Sequence, residues 1–520
     1  MAVLLDSWLA ELVVVASAAA LALYAWMSRC QRHWQSKGAP YVEPEVPFGN
    51  FRPVAMGQKS LGLFLQDIYN MAPGARYVGF YGFNRPMLLI RDPELIRDVL
   101  IKDFGTFHDR GIFFDEEEPL NRHLFALTGI KWRQLRIKLS PAFTSGKLKG
   151  MFKTLVDCGH EMAAVLEGAA GRGETVEVRE LLARYSTDFI ASVGFGIEVH
   201  CQRDPDNEFR RWGRKIFEPS LITGLAIMLS IISPKLTRFI QVRDKRAAAV
   251  CKYFRDMVAH TVAYREKNNI TRKDFMDLLI QLKNRGYLDG EKIENVDSTS
   301  KEVSQMEFTM DDVAAQAFIF FGAGFETSSS TMSFALHELA FNLHIQTKLQ
   351  EEIDSILKEN GGEISYEALS KMSYLDKVVS ETLRKYPPVP FLNREPNKEY
   401  KIPDSDVVLE KGTPLSISVL GLHRDPNYYP DPEHFDPERF SEEQKAQRQP
   451  YVYLPFGDGP RNCIGMRLGL LQVKVGLVCL LSKYNVRPTE KTRETLEYNA
   501  RTVILLPNGG IQLRLEKRCS

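Results

Sequence analysis

The ten residues Phe456-Gly457-Asp458-Gly459-Pro460-Arg461-Asn462-Cys463-Ile464-Gly465 constrain this chain more than any other stretch. Gly457 and Gly459, with Pro455 and Pro460, keep the backbone out of a helix up to Cys463, whereas residues 464–481 carry a helical pattern. Cys463 therefore sits at a helix N-terminus, where the dipole and free backbone N–H groups stabilise a thiolate. The pattern F-x-x-G-x-R-x-C-x-G fixes five positions. Average composition would produce it by accident on the order of once in ten thousand chains of this length.

The remaining cysteines do not form a competing centre. Seven in all (Cys30, Cys158, Cys201, Cys251, Cys463, Cys479 and Cys519), they are odd in number, scattered, and never in a C-x-x-C pair. That argues against a disulfide framework and a zinc site, and for a reducing, cytosol-facing environment. Hydrophobic residues at 44% and charged residues at 26% supply a large core and exclude a disordered chain. Lys plus Arg number 67 against 66 Asp plus Glu, so a net charge of +1 provides no general attraction to nucleic acid. Any electrostatic partner must meet a local patch.

At the N-terminus, residues 12–27 carry no charge, and counting back through Glu11 to Trp8 gives an apolar run of 20. A membrane-spanning helix needs roughly 17 to 25. Ala16-Ser17-Ala18 resembles a cleavage site and keeps a secretory signal open as the alternative. Against it, Asp6 and Glu11 precede the run and Arg29 and Arg32 follow it, the charge order that leaves the C-terminal bulk in the cytosol. An acid-containing, Arg-poor start also excludes a mitochondrial presequence. Residues 1–30 are read as a membrane anchor and residues 31–50, punctuated by Pro40, Pro44 and Pro47, as a stiff hinge. Residues 51–520 form one folded body.

That body is expected to be mainly α with small β-sheets. Residues 77–81 and 87–90 read as strand, turn and strand, and Asp92-Pro93 as N-cap and first residue of a helix. Helical periodicity dominates residues 132–282. Within it, the apolar residues 221–232 are either buried core or a second segment dipping into the membrane. Residues 289–307 read as a loop, ended by the capping box Thr309-x-x-Asp312 and a helix of about 35 residues without proline. Residues 503–506 and 511–515, flanking Pro507-Asn508-Gly509-Gly510, read as a closing hairpin.

Three further motifs stand in a telling order. Glu381-Thr382-Leu383-Arg384 places acid and base on one helical face, and Pro437-Glu438-Arg439-Phe440 lies between it and the cysteine loop. The long helix carries Ala323-Gly324-Phe325-Glu326-Thr327-Ser328, with Gln316, Phe320, Ala323 and Gly324 read back from Thr327 along one face. Trp132-x-x-x-Arg136 shares a face of an earlier helix. Together with the loop, these motifs resemble the microsomal cytochromes P-450 over essentially the whole chain from about residue 40. Residues 132–149 and the loop are most similar to the xenobiotic-metabolising clan that includes insect detoxification enzymes and a major vertebrate drug-metabolising group.

The resemblance implies a single cytochrome P-450 fold preceded by one transmembrane helix, with Cys463 as the thiolate ligand of haem b, Phe456 and Gly465 beside it. Gly465 would let the flat macrocycle approach closely. Trp132, Arg136, Arg394 and Arg461, with Arg110 as a weaker match, would meet the propionates. Glu381, Arg384 and Arg439 would be a structural triad, and Glu326 and Thr327 would relay protons to iron-bound dioxygen. Gly322 departs from the larger residues common in that clan.

The implied activity is monooxygenation of a lipophilic small molecule, a xenobiotic or an endogenous lipid or hormone-like compound. Its electrons would come from NADPH through a flavoprotein reductase, with cytochrome b5 as a further donor, at the endoplasmic reticulum membrane. Arg133, Lys138, Lys147, Lys149, Arg467 and Lys474 are candidates for the basic face that meets the reductase. Phe107, Phe113, Phe114, Phe320, Ala323, Val389, Leu392 and Leu505 are expected to shape an apolar pocket. An oxygen-independent haem-thiolate isomerase or dehydratase and a non-enzymatic haem sensor or electron carrier are the alternatives. The sequon at Asn269-Ile270-Thr271 should be unused if the body is cytosolic.

Overall fold

A computed structural model describes residues 8–217, 244–286, 288 and 307–518. The expectations for residues 221–232 and 289–306 lie outside the described residues. The helices of ten or more residues are α1 (Trp8–Cys30), α2 (Leu61–Asn70), α3 (Gly129–Leu139), α4 (Ser145–Gly171), α5 (Val178–Ile190), α6 (Glu208–Phe217), α7 (Lys245–Lys267), α8 (Phe275–Arg285), α9 (Met310–Phe341), α10 (Leu343–Glu359), α11 (Ser373–Lys385) and α12 (Met466–Leu481). The strands are β1 (Tyr77–Gly82), β2 (Arg85–Ile90), β3 (Thr175–Glu177), β4 (Phe391–Arg394), β5 (Tyr400–Lys401), β6 (Val408–Leu409), β7 (Leu415–Ser418), β8 (Tyr484–Pro488) and β9 (Gln512–Lys517).

Helix α9 is the strut of the molecule and begins where its sequence predicts. The Thr309 hydroxyl accepts from the Asp312 N–H, and the Asp312 carboxylate accepts from the Thr309 N–H at 2.9 Å, closing the capping box. With no proline to interrupt it, the helix runs 32 residues. It packs along α5 and against α12, α7 and α11. Its C-terminal half is buried almost throughout, as expected of a helix surrounded by others.

Two hydrophobic cores result. One gathers around α9 and the helices that pack on it. The other lies under the four-stranded sheet β1-β2-β7-β4, where only the β2–β7 pairing is parallel. Leu454 belongs to the sheet-side core and Phe456 packs on the helical one, so the cysteine loop straddles their seam.

The expected closing hairpin does not form. Strand β9 pairs with β8 and β3, while residue 507 makes only an isolated bridge to Tyr498. Gly509 and Gly510 have positive φ, and the Ile511 N–H then donates to the Glu177 carboxylate, which draws the chain away to the three-stranded sheet. The turn signal was real; its partner strand was elsewhere in the sequence.

Candidate active site at the cysteine loop

The loop holds Cys463 by its backbone. Gly457 and Gly459 both have positive φ, and a Cβ on Gly459 would lie 2.0 Å from the Leu100 carbonyl oxygen, so the turn needs glycine there. The Cys463 N–H donates to the Phe456 carbonyl at 2.9 Å. Gly465 is the N-cap of α12, and its N–H points at the Cys463 sulfur. Cys463 is exposed, alone among the described cysteines, yet desolvation is the largest influence on its thiol and pushes its pKa up. The Gly465 N–H, then Arg136 and Arg110, oppose that rise and favour the thiolate.

Behind the loop lies an ionic cluster whose central pair is fully bonded, with Arg439 Nε buried and without a hydrogen-bond partner. Arg384 grips Glu381 with two parallel bonds of 2.7 and 2.8 Å, and both side chains have no exposed surface. The remaining Arg384 donors go to the carbonyls of His423 and Pro432. Arg439 stands 3.5 Å from Glu381 and donates to the Asp431 carbonyl, and the Asp436 N–H donates to Glu381. His423 closes the link: its Nδ1–H donates to the Arg384 carbonyl and its Nε2 accepts the Leu454 N–H, nine residues before the cysteine.

In front of the loop the cations are less well satisfied. Arg136 donates to the carbonyl and side chain of Asn462 at 2.8 Å each, bracing the residue next to Cys463. Arg461 lies 4.2 Å over the Trp132 ring and donates to the carbonyls of His108 and Leu127 and to Asp109. Arg110 packs on Phe125, and Arg394 bonds the Asn393 carbonyl. Among the described residues Asp109 is the one carboxylate that pairs with any of these four arginines. Arg461 Nη1 and Arg394 Nε are buried with no partner. Burial pushes the pKa of Arg394 and Arg461 down to about 10, and at Arg110 burial and then the neighbouring arginines push it well below the ordinary value.

On α9, Ala323 is exposed and Ile319 and Thr327 are half-buried, a face at positions i, i+4 and i+8 that is open at Ala323 and lies among the half-buried residues Phe318, Phe320, Gly322 and Gly324. The Thr327 hydroxyl donates to the Ala323 carbonyl at 2.6 Å. Glu326 is buried and ion-paired with Arg179 at the start of α5, a residue no motif had marked. Gln316 holds the loop that carries the pocket aromatics: it accepts the Leu124 N–H and donates to the Arg122 carbonyl.

Several expected pocket residues are core residues instead. Phe320 stacks on Phe275 at 4.4 Å and lies beside Phe143, because Gly194 has no side chain to keep it out. Gly324 faces Ile190 of α5, so the face assigned to it and Phe320 is a packed one. Phe107 is fully buried in the sheet-side core against Tyr400, and Leu505 is buried in the helical core with its N–H on the Pro388 carbonyl. Phe113 and Phe114 are half-buried, with Phe114 edge-on to His123 and Phe125. Val389 is exposed, and Leu392 reaches Gly457 of the loop.

Comparison with known proteins places this geometry. The family described as Cytochrome P450 matches residues 48–515. The chain belongs to the cytochrome P450 family. It is 43% identical over 513 residues to cytochrome P450 6k1 of Blattella germanica, covering 98% of this chain and 97% of that one. It is 41% identical to the probable cytochrome P450 6a21 of Drosophila melanogaster (95% and 96% covered) and 39% identical to cytochrome P450 6d3 of Musca domestica (96% and 97%).

A cytochrome P450 is a haem-thiolate monooxygenase, and the residues at the loop fit that group. Cys463 would supply the sulfur. The converging arginines, with buried N–H groups lacking partners, are what a pair of propionates would complete. A Cβ on Gly465 would meet only Phe143, at 3.9 Å, which leaves room beside the sulfur for a flat ring. Asn462 and Asp109, both adjacent to motif residues, are structural members of this P450 site that sequence reasoning passed over.

Proposed function

We propose that this P450 hydroxylates lipophilic small molecules, xenobiotics foremost, in the reaction RH + O2 + two electrons + two protons giving ROH + water. The observation that carries the reading is the open face of α9 around Ala323, where Thr327, with its hydroxyl on the Ala323 carbonyl, is next to the buried Glu326. Haem, when bound, supplies the redox chemistry, with the thiolate favouring O–O cleavage. The chain supplies position and protons. Thr327 holds a hydroxyl proton on the Ala323 carbonyl, and Arg179 orients the Glu326 carboxylate by donating to it. Ala323, Phe113, Phe114, Val389 and Leu392 offer apolar contacts and no charge, which favours a lipophilic substrate.

Electrons come from an NADPH-dependent flavoprotein reductase, with cytochrome b5 as a second donor. Arg133 on α3 and Arg467 on α12 are exposed and Lys147 on α4 is half-buried, a basic surface beside the loop. Lys138 is buried, and Lys149 and Lys474 are engaged by Glu367 and Asp376, so these three contribute less. The apolar helix α1, with Arg29 and Arg32 following it, supports a body on the cytosolic face of the endoplasmic reticulum.

The reduced protein with carbon monoxide should show the red-shifted Soret band of thiolate ligation, and Cys463→Ser should abolish it. With reductase, NADPH-dependent oxygen uptake should yield hydroxylated product, which an isomerase or a haem sensor would not. Thr327→Ala should keep the band but lose about tenfold or more of product formation, the electrons appearing as peroxide. Full coupling in that variant would remove Thr327 from the proton path.

A further inference from the structure

The end of the membrane helix is not free of the body. Leu12, Val13, Leu21 and Trp26 of α1 are exposed, as lipid-facing residues must be, but Met27 and Gln31 are buried. The Gln31 N–H donates to the Met27 carbonyl at 2.9 Å, so the helical path continues past Cys30. The Gln31 side chain then donates to the Phe83 carbonyl in the β1–β2 turn, also at 2.9 Å. Three residues on, Trp34 has no exposed surface. Its indole N–H donates to the Phe80 carbonyl at 3.2 Å and its backbone N–H to the Tyr81 hydroxyl at 2.9 Å. The ring fits because residue 79 is glycine: a Cβ there would lie 2.5 Å from the indole. Lys37 adds bonds to the Val408 carbonyl (2.7 Å) and Glu410 (3.1 Å).

These bonds reach two separate parts of the body, the β1–β2 hairpin and the β6 edge, from eleven consecutive residues, 27–37. At 1.5 Å per residue, Trp26 and Gln31 are about 7.5 Å apart along the helix, so contact with the body begins within the headgroup layer. Arg29 and Arg32, both exposed, are at that level and can reach lipid phosphates. Releasing Trp34 would expose a large aromatic and leave a cavity under β1, so opening is rare. We infer that residues 27–37 form a rigid bracket that holds the membrane helix at a fixed angle to the catalytic body. The bilayer then sets the tilt of the body and presses the β1–β2 turn onto the lipid surface; a free linker would do neither. The inference rests on the reading of α1 as a membrane anchor.

Trypsin tests it, since Arg29, Arg32 and Lys37 lie inside the bracket. In holoprotein held in phosphatidylcholine nanodiscs, cleavage there should be at least about tenfold slower than in an unfolded peptide of the same sequence. Trp34→Ala should accelerate it. So should Gly79→Ala, which changes no residue of the bracket, and Gln31→Ala should do so less. Linear dichroism of the haem in oriented bilayers should show one narrow tilt for the wild type and a broadened one for Trp34→Ala and Gly79→Ala. Rapid cleavage of the wild type overturns the bracket, as do unchanged cleavage and tilt in variants that keep the carbon monoxide band. Failure of the protein to float with vesicles would remove the anchor reading instead, and cleavage in detergent would still decide the bracket.

Discussion

Two buried charge clusters flank the cysteine loop and differ in how far the protein itself completes them. In the first, Glu381 pairs with both Arg384 and Arg439, and every Arg384 donor has a protein acceptor, although Arg439 Nε has none. Arg110, Arg136, Arg394 and Arg461 share one carboxylate among the described residues, repel one another, and leave buried N–H groups unmatched. A closed cluster fixes the fold. An open one stores unpaid desolvation that an incoming dianion relieves, so it binds.

Breaking the closed cluster should have the larger effect. Glu381→Gln leaves Arg384 buried without its counter-charge, at a cost of about 3–5 kcal/mol. That is a large part of a typical stability of about 5–15 kcal/mol. The expected result is little or no folded P450 on expression, read as loss of the carbon monoxide band and an early urea midpoint. Normal yield with a normal midpoint would show that the cluster does not lock the fold.

The open cluster should respond with the opposite sign in the apoprotein. Arg394→Leu removes a buried cation whose pKa burial already holds near 10, so apoprotein stability should be unchanged or higher. Haem retention should fall by about tenfold, the equivalent of one charge-assisted hydrogen bond. Transfer of haem to an acceptor globin measures the second quantity and urea unfolding of apoprotein the first. A variant that loses apoprotein stability as Glu381→Gln does would erase the distinction between the clusters.

The same contrast marks what the sequence could tell. The capping box at Thr309, the Asp92 cap, the cysteine turn and the Glu381–Arg384 pair are local, set by spacings of a few residues, and each appears where its spacing puts it. Residues 31–50 contain the prolines of a linker, but sequence spacing could not show that Trp34 finds a socket over Gly79. Phe320 packs against Phe275 and Phe143 for a similar reason: helical period gives faces, while Gly194, more than a hundred residues away, decides which face accepts a ring. Arg179 meets Glu326 across 147 positions with no motif to announce it. The hairpin fails because β9 pairs instead with β8, upstream of residues 503–506, and with β3, more than three hundred residues back.

The smallest expected effect concerns the hinge between the closed cluster and the loop. His423 is fully buried, with Arg384 and Arg448 as its charged neighbours and the rings of Tyr429 and Tyr453 against it. Burial, then Arg384, push its pKa down from 6.5 to about 3. Between those values the unfolded chain binds a proton that the folded one refuses, so stability falls as pH drops, by at most about 1.4 kcal/mol per unit for this one group. His123, pushed down to about 4 by burial, adds a second such loss. His423→Gln should flatten the acid limb of a plot of unfolding free energy against pH by one proton and leave His123's share in place. An unchanged slope would mean that His423 takes up its proton in the folded state, and that the bond from Leu454 to its ring does not hold the loop to the triad in acid.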